Sequence, residues 1–155
     1  MNGTRPGAIL VAEDSYLLAE VIADSLRDFG MEPVGPVGRL EQACDLARKR
    51  ALDAALLDIK LHDALCFPVA SILLARGIPL VFITGYSNTG LIPVECRGAP
   101  VIHKPFEADE LKEAISALLG VRRRGSAGPS QAHSEQRRDG DWHPTTVKRL
   151  LARLD

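Results

Sequence analysis

Residues 54–57, Ala-Ala-Leu-Leu, form an unbroken apolar run that ends at Asp58. Such a run does not alternate apolar with polar side chains, so it reads as a strand buried on both faces, the condition of a parallel sheet covered by helices. Three further runs have the same form. Ala8-Ile9-Leu10-Val11-Ala12 ends at Glu13 and Asp14, Pro79-Leu80-Val81-Phe82-Ile83 ends at Thr84, and Val101-Ile102-His103 ends at Lys104. A chain with four such runs must find helices to cover them.

The intervening segments supply these helices. Leu17, Leu18, Val21, Ile22, Leu26 and Phe29 recur at helical spacing, with Gly30 as the stop. Leu40, Ala43, Cys44, Leu46 and Ala47 mark a second helix. A third is predicted from Pro68 to Arg76, with proline in its first turn and Gly77 beyond its end. Leu111, Ile115, Leu118 and Leu119 mark another after the Lys104 strand. Met31 to Val37 reads as a weak strand that Pro33 and Pro36 confine to a sheet edge. Tyr86 to Gly98 is polar and broken by glycine and proline, room for only a short or irregular fourth helix. This βα alternation predicts an α/β fold, a flavodoxin-like doubly wound (βα)5 parallel sheet in the order 2-1-3-4-5. Strands one, three, four and five then lie side by side, and Glu13, Asp14, Asp58, Thr84 and Lys104 meet at one carboxyl edge.

Composition narrows the remainder. At 155 residues and 46% hydrophobic content the chain has one domain's worth of core plus a modest addition. No apolar run approaches the roughly 18 residues needed to span a bilayer, and no apolar stretch precedes the first strand, so the expectation is a cytoplasmic protein without membrane contact. Cys44, Cys66 and Cys96 form no metal or redox motif and read as reduced, small hydrophobes. The body expected to fold is residues 1–120. Residues 121–141, rich in Arg, Gly, Ser, Gln and Asp, are expected to form a flexible linker. Residues 142–155 are expected to carry a short amphipathic helix, with Val147, Leu150, Leu151 and Leu154 on one stripe. From residue 121 onward eight cations face four acids, whereas the preceding residues carry eleven cations and sixteen acids. The Arg122-Arg123-Arg124 run would hold nucleic acid only nonspecifically, so nucleic acid is not an expected partner.

Acid pair, acid, hydroxyl and lysine at successive strand ends suit a divalent cation and a phosphoryl group. Mg²⁺ held by Asp14 and Asp58, with Glu13 direct or through water, would cancel the repulsion between a carboxylate and an incoming phosphoryl group. Lys104 and the Thr84 hydroxyl would meet other phosphoryl oxygens. Asp58 alone ends a strand in the middle of the predicted sheet, which makes it the nucleophile.

The set Val11-Ala12-Glu13-Asp14, Leu56-Leu57-Asp58, Thr84-Gly85 and Lys104-Pro105-Phe106, across residues 8–120, resembles the response-regulator receiver domain of two-component signalling. The resemblance implies that Asp58 accepts a phosphoryl group from a histidine kinase or phosphotransfer protein. It also implies that Glu13, Asp14, Asp58 and the backbone carbonyl of Lys60 hold Mg²⁺, that Thr84 and Lys104 read the phosphoryl group, and that the bond to Pro105 is often cis. Output is then expected through a downstream protein partner or a second copy of the chain, without enzymatic turnover. Pro79 to Tyr86 is similar to the Phe-Ala-Thr-Gly-Tyr signature of alphaproteobacterial single-domain receivers often linked to general stress signalling, with Ile83 in place of its alanine. The family's usual aromatic switch position holds Val101, leaving Tyr86 either to share that role or to cover the site. Lys60 is placed to modulate loss of the phosphoryl group. Two other readings stand beside this one: a receiver-like module that binds partners without phosphorylation, and an aspartate-nucleophile phosphatase. The phosphatase reading meets a lysine, Lys60, where an Asp-x-Asp motif would have its second acid.

Overall fold

The computed structural model describes residues 6–85 and 90–127. The strands are β1 (Ala8–Ala12), β2 (Glu32–Val37), β3 (Ala54–Asp58), β4 (Lys60–Leu61), β5 (Ala64–Leu65), β6 (Leu80–Thr84) and β7 (Val101–His103). The helices are α1 (Tyr16–Asp28), α2 (Leu40–Lys49), α3 (Phe67–Ala75) and α4 (Ala108–Ala127), with a 3-10 turn at Val94–Cys96. Five strands form one parallel sheet in the order β2-β1-β3-β6-β7. With the β4–β5 hairpin set aside, this is the flavodoxin-like order read from the strand pattern.

The period-two direction of strand side chains divides the core into two layers. Ile9, Val11, Leu56, Val81 and Ile83 pack against Ile22 and Leu26 of α1 and Leu111, Ile115 and Leu118 of α4. Their neighbours Leu10, Leu57, Leu80 and Phe82 pack on the other face, against Ala43 and Ala47 of α2 and Val69, Ala70 and Leu73 of α3. Each central strand is therefore apolar throughout because both its faces are covered. Phe82 meets Phe67 edge to face, with ring centroids 5.8 Å apart. The three cysteines are free and buried, as small hydrophobes should be.

Local chemistry sets the element ends. Ser15 caps α1, its hydroxyl accepting from the Leu18 N–H. Gly30 follows the helix at φ +80, a left-handed turn that glycine adopts without strain. Strand β2 lies at the edge, and its pairing with β1 slips beside Gly35 and Pro36. Helix α3 starts at Phe67, one residue before the expected Pro68, and ends at Ala75. Between β6 and β7 the described residues hold only short 3-10 segments, in line with the broken pattern of Tyr86 to Gly98.

Two expectations are corrected. The loop expected at Leu61-His62-Asp63-Ala64, after the Asp58 strand, is a two-strand hairpin that pairs Lys60 with Leu65 and Leu61 with Ala64; an element of two residues per strand is too short to leave a periodic pattern. Helix α4 continues to Ala127, so the first seven residues of the expected 121–141 linker are helical. Arginine and alanine are good helix formers, and the arginine run continues a helix already nucleated. The rest of that linker, the expected helix in 142–155 and Tyr86 lie outside the described residues.

Candidate functional site

The parallel register fixes the site. Asp58 pairs with Ile83, and Thr84 with His103, so β3, β6 and β7 deliver Asp58, Thr84 and Lys104 to one edge. Strand β1 adds Glu13 and Asp14 just past its end. The backbone is anchored where the side chains emerge: Glu13 N–H donates to the Val37 carbonyl, Ile59 N–H to the Ile83 carbonyl and Lys104 N–H to the Thr84 carbonyl.

The side chains converge. Lys104 Nζ lies 3.0 Å from Asp58 Oδ2 and 3.1 Å from Glu13 Oε1. Glu13 is 3% exposed and Asp58 5%, so this cation neutralises two nearly buried acids. Glu13, Asp14 and Asp58 each present a carboxylate oxygen within 4.8 Å of the others. Two oxygens on one Mg²⁺, each at roughly 2.0–2.1 Å, lie at most about 4.2 Å apart, so small side-chain rotations bring these three onto one ion, and carboxylates with room for water are the donors it prefers. The residues fit the ion. Thr84 is fully buried, and its Oγ1 has no hydrogen-bond partner among the described residues, a fit for an acceptor oxygen supplied from outside.

Environment sets the charges. Burial pushes Glu13 up to about 7; the Ser15 N–H and Lys104 oppose this and Asp58 reinforces it. Burial also raises Asp58, against the pull of its hydrogen bond and ion pair with Lys104. For Asp14 burial is outweighed by the His62 N–H and the other neighbours, so its carboxyl lies below the usual range. For Lys104 burial is likewise outweighed, by Asp58 and Glu13, so it holds its proton above the ordinary lysine range.

Glu13, Asp14, Asp58, Thr84 and Lys104 come together. Lys60 is exposed on the hairpin, its N–H 3.4 Å from Asp58 Oδ1, at the long end of hydrogen bonding. The Lys104-Pro105 bond is cis. Val101 is half-buried beside Phe82. Two contributors were not foreseen. His62 donates its backbone N–H to Asp14 Oδ2 at 2.9 Å, and Ser15 donates its N–H to Glu13 Oε2 at 2.9 Å. Both act through the backbone, which residue type does not advertise; a polar helix cap straight after an acid pair was the only visible signal for Ser15.

Comparison with known proteins agrees with this geometry. Residues 9–116 match the model of the response regulator receiver domain family. The chain is 30% identical to the transcriptional regulatory protein PdtaR of Mycobacterium tuberculosis over 74% of its own length and 57% of that protein's, so it spans little more than half of that relative. It resembles the solution structure of SdrG from Sphingomonas melonis Fr1 with 37% identity and a TM-score of 0.66, over 75% of this chain and 98% of SdrG. The BeF3-activated conformation of SdrG, from Pseudomonas melonis Fr1, gives 38% identity and a TM-score of 0.61, over 72% of this chain and 95% of that one. No helix among the described residues is long and apolar enough to cross a membrane.

Proposed function

The chain belongs to the response regulator receiver domain family, and we propose that Asp58 is its phosphoacceptor, charged by a histidine kinase or phosphotransfer protein. Receiver domains generally are signalling modules that bind Mg²⁺ in an acidic cleft and interact with such partners. The observation that carries the assignment to Asp58 is its central place: it is paired with Lys104 and flanked by Glu13 and Asp14, and Thr84 ends the adjacent strand with a hydroxyl that has no partner among the described residues.

In the step proposed, Asp58 Oδ attacks phosphorus, the bond from phosphorus to the donor imidazole nitrogen breaks, and that nitrogen leaves with the electron pair. Mg²⁺, when bound, supplies charge neutralisation between the acids and the phosphoryl oxygens. Glu13, Asp14, Asp58 and the Lys60 carbonyl are the assigned ligands. Lys104 is held where it can exchange its pairing with Asp58 for one with a phosphoryl oxygen, and Thr84 Oγ1 donates to another. Transfer of this kind depends on position and charge, so a dedicated base is unnecessary.

The donor's approach is assigned to the start of α1. Tyr16 is 77% exposed and Leu17 75%, directly after Asp14-Ser15, with Val21 one turn on. An apolar patch at the rim of a charged cleft suits a partner helix carrying the phosphohistidine. The BeF3-activated form of SdrG supports reading this site as one that takes a phosphoryl-like group. Cytoplasmic location and output through a downstream protein belong to the same reading, as does the stress-signalling subfamily.

The test is intact mass after incubation with acetyl phosphate and Mg²⁺. A gain of one phosphoryl group, absent in Asp58→Asn and suppressed by a chelator, supports the assignment. No gain, together with no beryllofluoride-induced shift at Thr84 or Lys104, overturns it in favour of a phosphorylation-independent binding module.

A further inference from the structure

Leu74, Leu80, Cys96, Ala99 and Leu118, with Glu95, line an apolar groove of about 230 Å³. It lies where β6 and β7 begin, at the end of the sheet opposite the carboxylate cluster. A cavity of roughly 150 Å³ already admits a benzene-sized group, so the groove has room for a leucine side chain. Its origin is visible in the fold. Helix α3 ends at Ala75, β7 is only three residues long, and the described connection between β6 and β7 offers short 3-10 segments where a helix would cover the sheet. Leu74, 41% exposed, keeps the apolar lining of the groove open to solvent.

We propose that this groove is the docking site for residues 144–154 of the same chain, a segment that the signalling role leaves unused. Val147, Leu150, Leu151 and Leu154 fall at i, i+3, i+4 and i+7, one apolar stripe on a helix of three turns. A helix this short is marginal in water unless its stripe is covered. The reach is adequate. Leu118 in the groove and Ala127 at the end of α4 belong to one helix, nine residues or about 13.5 Å apart. The next 16 residues, 128–143, span about 20–24 Å as a flexible coil, enough to return along α4. Charge favours the same pairing. Lys148, Arg149 and Arg153 flank the stripe, Glu95 lines the groove, and the residues before 121 carry an excess of acids.

The test is methyl NMR on the full chain at low concentration. The expected result is NOEs from Leu150 or Leu151 methyls to Leu74, Ala99 or Leu118. Mixing differently labelled copies should show these NOEs to be intramolecular. Filling the groove with Ala99→Trp should return the Leu150, Leu151 and Leu154 methyls to random-coil positions, with Ile9, Val11 and Leu56 unmoved as the check on the fold. Leu151→Asp should have the converse effect, shifting Leu74 and Ala99 in an intact domain. The proposal is overturned by tail methyls at random-coil positions in the unaltered chain, by NOEs to a different face, or by NOEs that are only intermolecular, which would make a second copy the occupant.

Discussion

The backbone N–H of His62 donates to Asp14 Oδ2 at 2.9 Å, joining the β4–β5 hairpin to the end of β1 across 48 residues. The hairpin achieves this with His62 at φ 54, the one described non-glycine residue with positive φ. Glycine tolerates that conformation and keeps the donor; proline can supply neither. His62→Gly should therefore leave Mg²⁺ affinity within about twofold, whereas His62→Pro should weaken it about tenfold, near the lower end of the ~1.5–3 kcal/mol for a hydrogen bond to a charged group. Calorimetric titration with Mg²⁺ measures both, and equal affinities would show that Asp14 does not depend on the hairpin.

Glu13 gives the site a pH dependence. Its carboxyl is raised by burial to about 7, so in the metal-free protein it is protonated below that pH and ionised above. A carboxyl raised in the folded state favours folding when protonated. That contribution is whole below the unfolded value near 4.5 and is lost as pH climbs through about 7. Mg²⁺ must displace the same proton, so its affinity should rise by up to about tenfold per pH unit below 7 and level off above it. Glu13→Gln should remove that slope below about pH 7. An unaltered slope in that variant would assign the titration to another group, Asp58 first.

Lys104 plays two opposed parts. In the metal-free protein it neutralises Glu13 and Asp58 at 3.1 and 3.0 Å, and without it two nearly buried acids face Asp14 unpaired. Lys104→Met should therefore lower stability in chelator by about 1–3 kcal/mol, much of it recovered on adding Mg²⁺. The same variant should bind Mg²⁺ more tightly, since no lysine competes for the carboxylates, and yet gain phosphoryl groups from acetyl phosphate more slowly. Thermal melts with and without Mg²⁺ check the first half and timed intact mass the second. Loss of Mg²⁺ affinity in Lys104→Met would contradict the competition.

The central sheet and its cluster were legible because they rest on long-range simplicity. A strand buried on both faces must be apolar along its length, so β1, β3 and β6 stand out, and the residue ending each run must lie at the carboxyl edge. Glu13, Asp14, Asp58, Thr84 and Lys104 follow from that rule. What escaped notice rests on backbone geometry. The hairpin at 60–65 has too few residues for a period, and His62 contributes an N–H that any residue except proline would carry. Helix α4 ran past its expected end because Gly120 and the arginines after it look like a stop in a polar stretch. A helix already nucleated on Leu111, Ile115 and Leu118 extends more easily than one that must begin there.

Lys60 brings a second cation close to Asp58 in sequence. It lies two residues past the acceptor, exposed, with its N–H 3.4 Å from Asp58 Oδ1. The role proposed for its ammonium group is to pair with a phosphoryl oxygen on Asp58 and to stand in the path of attacking water. An exposed pairing of this sort is worth at most about 1 kcal/mol, which bounds the effect on lifetime at about fivefold. Lys60→Met should shorten the life of the acyl phosphate within that bound and leave Mg²⁺ affinity unchanged, since the assigned ligand there is the backbone carbonyl and not the side chain. Intact mass followed over time after removal of acetyl phosphate measures the decay. High salt should shorten the lifetime in the unaltered chain and have less effect on Lys60→Met, because screening removes what the substitution removes. A lifetime identical in the two chains at low salt would leave the side chain without a part in the chemistry.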